Sequence, residues 1–158
     1  LLPGLFASHS WRSCHALLAQ LPLFVGTLEP GELYLQLMPA LLRHTTTRSA
    51  EPNRAAAARL LCQLLRRLRS AAQRADLCAR LVKDLGQGRS YSLRLLFLDV
   101  CTLLLGADEA RSCSRAFFKQ HGFLAAALDL ASDAPGGKSC PAPRMRAAPR
   151  SRHGMAAP

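Results

Sequence analysis

Three leucine-rich blocks recur at a near-constant interval, and this constrains the chain more than anything else in it. They are "HSWRSCHALLAQLPLF", "EPNRAAAARLLCQLLRRLR" and "RSYSLRLLFLDVCTLLLG". Each opens on a short polar stretch and carries an arginine one or two turns before its leucines. The arginines are Arg12, Arg54 and Arg94, spaced 42 and 40 residues apart. HEAT and armadillo units repeat every 40–47 residues or so. A single helical pair cannot bury its apolar stripe, whereas a stack of such pairs can.

The third block tests the helical reading. Residues 93–105 are almost wholly apolar, yet a bilayer span takes about 20 such residues, and Arg94 and Asp99 interrupt the run. The chain has three valines and no isoleucine, a composition that suits helices rather than strands. Leu93, Leu96, Phe97, Val100 and Leu104 fall on one helical face. Leu95, Leu98, Cys101 and Leu105 fall on another, which predicts cover on two sides.

The same phasing predicts buried stripes at Trp11, Cys14, Leu17, Leu18 and Leu21, and at Ala57, Leu60, Leu61, Leu64 and Leu68. Each first helix is followed by a turn and a second amphipathic helix. Expected stripes there are Leu33, Leu37, Met38 and Leu41; Ala71, Ala75, Cys78, Val82 and Leu85; and Phe117, Phe118, His121, Leu124, Ala125 and Leu128. Pro39 predicts a kink or break, and Gly122 a split in the last helix. Ser10, Ser70 and Ser90 stand where N-caps belong. The pairs fit residues 9–25/31–44, 53–69/71–85 and 91–105/109–131.

The expected fold is therefore all-α: a HEAT/armadillo-type α-solenoid of about three helical pairs over residues 1–132. Residues 133–158 are rich in Pro, Gly, Ala and Arg, and predict a disordered basic tail. The chain begins on Leu rather than Met, as a fragment would. The shift in character after Ser132 is what intron read-through at Gly137-Lys138 would leave, and the genomic exon boundary decides that point.

The net charge is +11. Sixteen basic and nine acidic residues precede Asp133, so the body is itself net +7. A basic body suits nucleic acid or another acidic partner, or a solvated face. Arg59, Arg66, Arg67, Arg69 and Arg74 cluster about the turn of the second pair, with no aromatic residue interleaved, which argues against base stacking. The six cysteines show no CxxC spacing, and most lie in leucine-rich stripes, a pattern of a reducing, intracellular setting.

No phosphate-binding loop, nucleophile elbow or zinc-protease motif occurs. Asp99 and His121 are the residues a small helical enzyme would use. The plainer expectation is a polar group bonded to the next helix for Asp99, and a half-buried histidine for His121. No catalytic residue, cofactor or metal is expected.

Two further stretches, "RRLRSAAQRADLCARLVKDLGQGRSYSLRLLFLDVC" and "SRAFFKQHGFLAAALDLASD", together with "SWRSCHALLAQLPLF" and "LMPALLRH", resemble the HEAT-repeat regulatory subunits of protein phosphatase 4. The resemblance covers roughly residues 9–133 and rests on the order of several segments rather than on one motif. It implies a non-catalytic, cytoplasmic scaffold that binds the phosphatase catalytic subunit, which would hold the metals and the acid–base chemistry. Partner contacts are expected on the turns within pairs, at Glu29 and Glu32, Arg69 and Arg74, and Asp108 and Glu109. Exposed charges there would steer association more than set affinity.

Overall fold

The helix at the centre of the molecule is the one whose sequence is best made for it. Residues Glu51–Arg67 form α4. Pro52 sits in its first turn, where the missing amide hydrogen costs nothing. Glu51 opposes the positive end of the helix dipole, and Arg66 and Arg67 the negative end. Ala57, Ala58, Leu60, Leu61, Cys62, Leu64 and Leu65 are all buried. So wide an apolar face needs neighbours on several sides.

The computed structural model describes residues 10–46, 48–106 and 113–132. Before α4 come α1 (Trp11–Val25), α2 (Pro30–Gln36) and α3 (Met38–His44); after it come α5 (Ala71–Leu81), α6 (Tyr91–Leu105), α7 (Arg115–Gln120) and α8 (Phe123–Ser132). A π-helical turn, Val82–Gly86, prolongs α5. No strand occurs among the described residues.

The first helices α1, α4 and α6 pack in succession. Each second helix leans on the next first helix: α3 on α4, and the π turn on α6. α8 closes against the π turn and α6. This is an all-α helical-repeat stack. The side-chain bonds between layers keep its period. Asn53 Nδ2 donates to the Trp11 carbonyl at 3.1 Å, and Tyr34 donates its hydroxyl to Asp76, both across 42 residues. Arg67 reaches the Leu28 carbonyl across 39 residues and Arg66 the Leu103 carbonyl across 37.

Pro39 ends up at the start of α3, and the second helix of the first pair is broken at Leu37. Gly122 splits the last helix with a φ of 78°, a left-handed conformation that an L side chain resists.

Several expected faces are corrected. Gly122 re-aims α8, so one helical phase cannot run from Phe117 to Leu128. Phe123 and Ala126 are buried instead, while Leu124 and Leu128 are exposed and Ala125 faces solvent. In α5 the leucines win over the alanines, having more apolar area to hide: Leu77 and Leu81 join Cys78 in the core, and Ala71 and Ala75 are exposed. Only one face of α6 is fully covered. Leu95, Leu98 and Leu105 are 44%, 41% and 53% exposed, because no described helix packs on that side. Trp11, the first residue of α1, has its side chain exposed, with the Arg12 guanidinium 4.8 Å from its ring centroid. Of the three expected caps only Ser70 makes a side-chain capping bond, accepting from the Gln73 amide; Ser114 does the same for Phe117 without having been foreseen. The tail expected over 133–158 lies outside the described residues.

Tyr34 and Asp76 give a measurable link between the first and second pairs. Asp76 also accepts from Arg80 Nε at 2.8 Å. The Tyr34 hydroxyl, then Arg80, holds the Asp76 carboxyl below its ordinary value of 3.8. Burial, then Asp76, holds the Tyr34 phenol above 10.0. A lowered carboxyl stabilises the fold above its unfolded value, and loses that contribution as pH falls through the folded one. A raised phenol stabilises below its unfolded value and loses that contribution as pH rises through the folded one. Tyr34→Phe is therefore expected to cost about 1 kcal/mol across the neutral range. Denaturant titrations of both proteins should converge at acidic pH, below the folded value of Asp76.

Candidate functional site

Three arrangements of reactive side chains can be followed from the sequence into the structure. The first was not anticipated. Cys14 on α1 lies 3.7 Å from both ring nitrogens of His44 at the end of α3, and His44 Nδ1 lies 3.3 Å from Ser49 Oγ. A working thiol nucleophile needs its thiolate favoured by its surroundings. Here burial raises the Cys14 thiol, while burial and then Arg43 lower the His44 imidazole. Both shifts favour the neutral forms. Cys14 is 3% exposed, so the trio is packing with a weak polar link.

The second is the Asp99–His121 pairing that an enzyme would need. Asp99 is exposed on α6 and makes no bond to a neighbouring helix among the described residues, contrary to the expected satisfied polar group. His121 is half-buried with its ring centroid 4.5 Å from that of Phe117. Neither lines the cleft that the described residues build at the end of α4.

The third is the set of buried thiols. Burial pushes Cys62 and Cys78 up to about 12 and Cys101 up to about 11. They are small hydrophobic fillers at neutral pH. No group of three or more metal-binding side chains occurs among the described residues.

What the fold does build is a cleft of about 870 Å3. Its walls come from the end of α1 (Pro22, Val25, Gly26), the end of α4 (Gln63, Leu65, Arg66, Arg67), Arg74 of α5, and Cys113, Ser114 and Phe117 at the start of α7. The two arginines closing α4 diverge to serve its two neighbours. Arg66 Nη2 donates to the Leu103 carbonyl in the last turn of α6, which accepts no helical amide among the described residues. Arg67 Nη2 donates at 3.2 Å to the Leu28 carbonyl in the α1–α2 turn. Arg67 Nη1 is buried and meets no acceptor among the described residues. The one ion pair among the described residues joins Arg80 to Asp76, so no carboxylate neutralises Arg66, Arg67 or Arg74. Burial raises the Cys113 thiol, and the charges of Arg66 and Arg74, which line the same cleft, pull it down.

Of the contacts expected from sequence, Arg74 lines this cleft. Arg69 is exposed on the α4–α5 turn, outside it; Glu29 and Glu32 are exposed at the start of α2. Asp108 and Glu109 lie outside the described residues. Arg66 and Arg67 were visible as part of a basic cluster. Their role depends on the α6 and α1 carbonyls they reach, and nothing local in the sequence marks those.

Fold and cleft together define a helical-repeat protein that presents a charged groove between its layers. In sequence the chain is similar to serine/threonine-protein phosphatase 4 regulatory subunit 4. It is 33% identical to the mouse (Mus musculus) protein over 118 residues, covering 75% of this chain and 13% of that one. It is 32% identical to the human (Homo sapiens) protein over 127 residues, covering 80% and 14%. The likeness relates the chain to a segment of that regulatory subunit, and the chain spans about one-seventh of the length of these relatives. No protein-family profile and no solved structure matches it. Among the described residues no helix is long and apolar enough to cross a membrane.

Proposed function

We propose that the chain is part of a non-catalytic, HEAT-type scaffold of a protein phosphatase 4-type serine/threonine phosphatase, one that binds the catalytic subunit in the cytoplasm. The observation that carries this reading is the extended likeness to the phosphatase regulatory subunit, over 75–80% of this chain. The architecture supports it, since stacked helical pairs offer long rows of turns and helix faces for holding another protein. In this reading the metals and acid–base chemistry belong to the partner.

The exposed charges at Glu29 and Glu32, Asp108 and Glu109, and Arg69 and Arg74 are the proposed rim contacts. They act on the rate and orientation of encounter. Arg69→Glu combined with Arg74→Glu in the full chain is expected to reduce capture of the phosphatase 4 catalytic subunit several-fold, with the helical circular dichroism unchanged. Undiminished capture would remove these two residues from the interface. If the wild-type chain captures no phosphatase catalytic subunit, the assignment itself fails.

A further inference from the structure

We infer that the arginine-lined cleft is a docking site for an acidic peptide segment of a partner protein, in which anionic groups alternate with an apolar side chain. The inference does not depend on the phosphatase assignment.

Charge comes first. Arg66, Arg67 and Arg74 converge on the cleft from two helices, and no described carboxylate pairs with them. The body around them is net positive. Guanidiniums that no described carboxylate compensates, set in a concave wall, focus a field that draws anions.

Pre-organisation comes second. Arg66 and Arg67 are each tied through one nitrogen to a backbone carbonyl. A guanidinium has five donor hydrogens in a fixed fork, so each keeps donors to spare while its position is set. Arg67 Nη1 is buried without an acceptor. Leaving a charged donor buried and unpaired is unfavourable, so an oxygen that drew Nη1 to the cleft surface would gain a charge-assisted bond. Holding the fork in place beforehand removes an ordering cost that a free surface arginine would incur on binding.

The floor comes third. Exposed Pro22 and half-buried Phe117 supply apolar surface on the same wall as the cations, with Val25 and Leu65 buried behind it. A bare anion uses none of it; a peptide with an apolar residue beside its acids uses both. The volume is at the upper end of the range of about 300–1,000 Å3 that enclosed ligands fill, suited to a few residues of extended chain. Nucleic acid fits less well. Phe117, the one aromatic on the wall, already has its ring against His121 and Phe123, which leaves no free platform for base stacking.

The test uses the full chain and fluorescence anisotropy with four labelled probes: a short glutamate–leucine peptide, its phosphoserine–leucine counterpart, the glutamine–leucine control and an oligothymidylate. Both anionic peptides are expected to bind, with affinity falling as salt rises, and the amide control is not. The tighter of the two identifies carboxylate or phosphate as the natural group. The Arg74 side chain makes no hydrogen bond or ion pair among the described residues, its backbone amide alone donating to the Ser70 carbonyl, so Arg74→Glu leaves the helix contacts alone. It is expected to weaken peptide binding about tenfold, the loss of one charge-assisted contact. Arg59→Glu makes the same charge change on the exposed side of α4, outside the cleft, and is expected to change affinity less than about twofold.

Equal losses in the two variants would overturn the inference, since net charge and not the cleft would then govern. So would failure of both anionic peptides to bind, or tighter binding of the oligothymidylate with the same dependence on Arg74. Phosphatase capture is measured on the same preparations. In the unmodified chain, absent peptide binding with intact capture sinks the cleft alone, and peptide binding with no capture sinks the phosphatase reading alone.

Discussion

Leu61→Ala is expected to destabilise the fold by about 2–5 kcal/mol, out of a total of about 5–15 kcal/mol for a domain of ordinary stability. Leu61 is fully buried on α4, the helix that touches α1, α2, α3, α5 and α6. Removing its isobutyl group takes transfer energy from the core and opens a hole. Walls held by several rigid helices close such a hole poorly, which places the cost toward the top of the range. Urea titration followed by circular dichroism measures it. Arg59→Ala on the exposed side of the same helix is the companion, expected within about 0.5 kcal/mol of the parent. A loss below about 1 kcal/mol at Leu61 would mean that α4 is not the central member of the stack.

Phe97→Ala should cost about 3–5 kcal/mol. Its ring is fully buried and stacks on Phe123 with centroids 5.8 Å apart and planes 4° from parallel. Phe118 lies 5.5 Å from Phe123 in turn. Phe97 also lies under the π turn: a methyl group on Gly86 would meet its ring at 3.2 Å. The ring thus joins α6 to α8 and to the end of the second pair. Phe97→Leu keeps most of the volume and should cost less than half as much. In a double-mutant cycle, Phe97→Ala and Phe123→Ala are expected to be non-additive by at least about 0.5 kcal/mol, because each ring is the other's contact. Strict additivity would show that the stacking contributes nothing beyond burial.

These two residues also show how far the sequence could be read. Leu61 was legible because α4 is a regular helix, and its stripe at Ala57, Leu60, Leu61, Leu64 and Leu68 follows one unbroken phase. Phe97 was legible for the same reason, but its partner was not. Phe123 follows a left-handed glycine that resets the helical phase, and a wheel drawn through Gly122 points the wrong residues inward. In α6 the surplus leucines argued for two covered faces, yet burial depends on which neighbours are present, and a single helix does not encode that. The cleft was half visible. An arginine cluster at the end of the second pair stands out in the sequence, whereas the carbonyls that orient Arg66 and Arg67 lie a full repeat away in each direction. Periodicity reports on faces, and it carries no information about which backbone groups are left for a side chain to find.

The polar ties between layers each reach one repeat and no further. Any such tie closes a loop of similar, modest length, so no part of the chain must wait for a distant end before it can order. Damage has a correspondingly short range. A lost tie weakens the one interface it bridges, by about 1 kcal/mol for a single hydrogen bond, and leaves the neighbouring interfaces as they were.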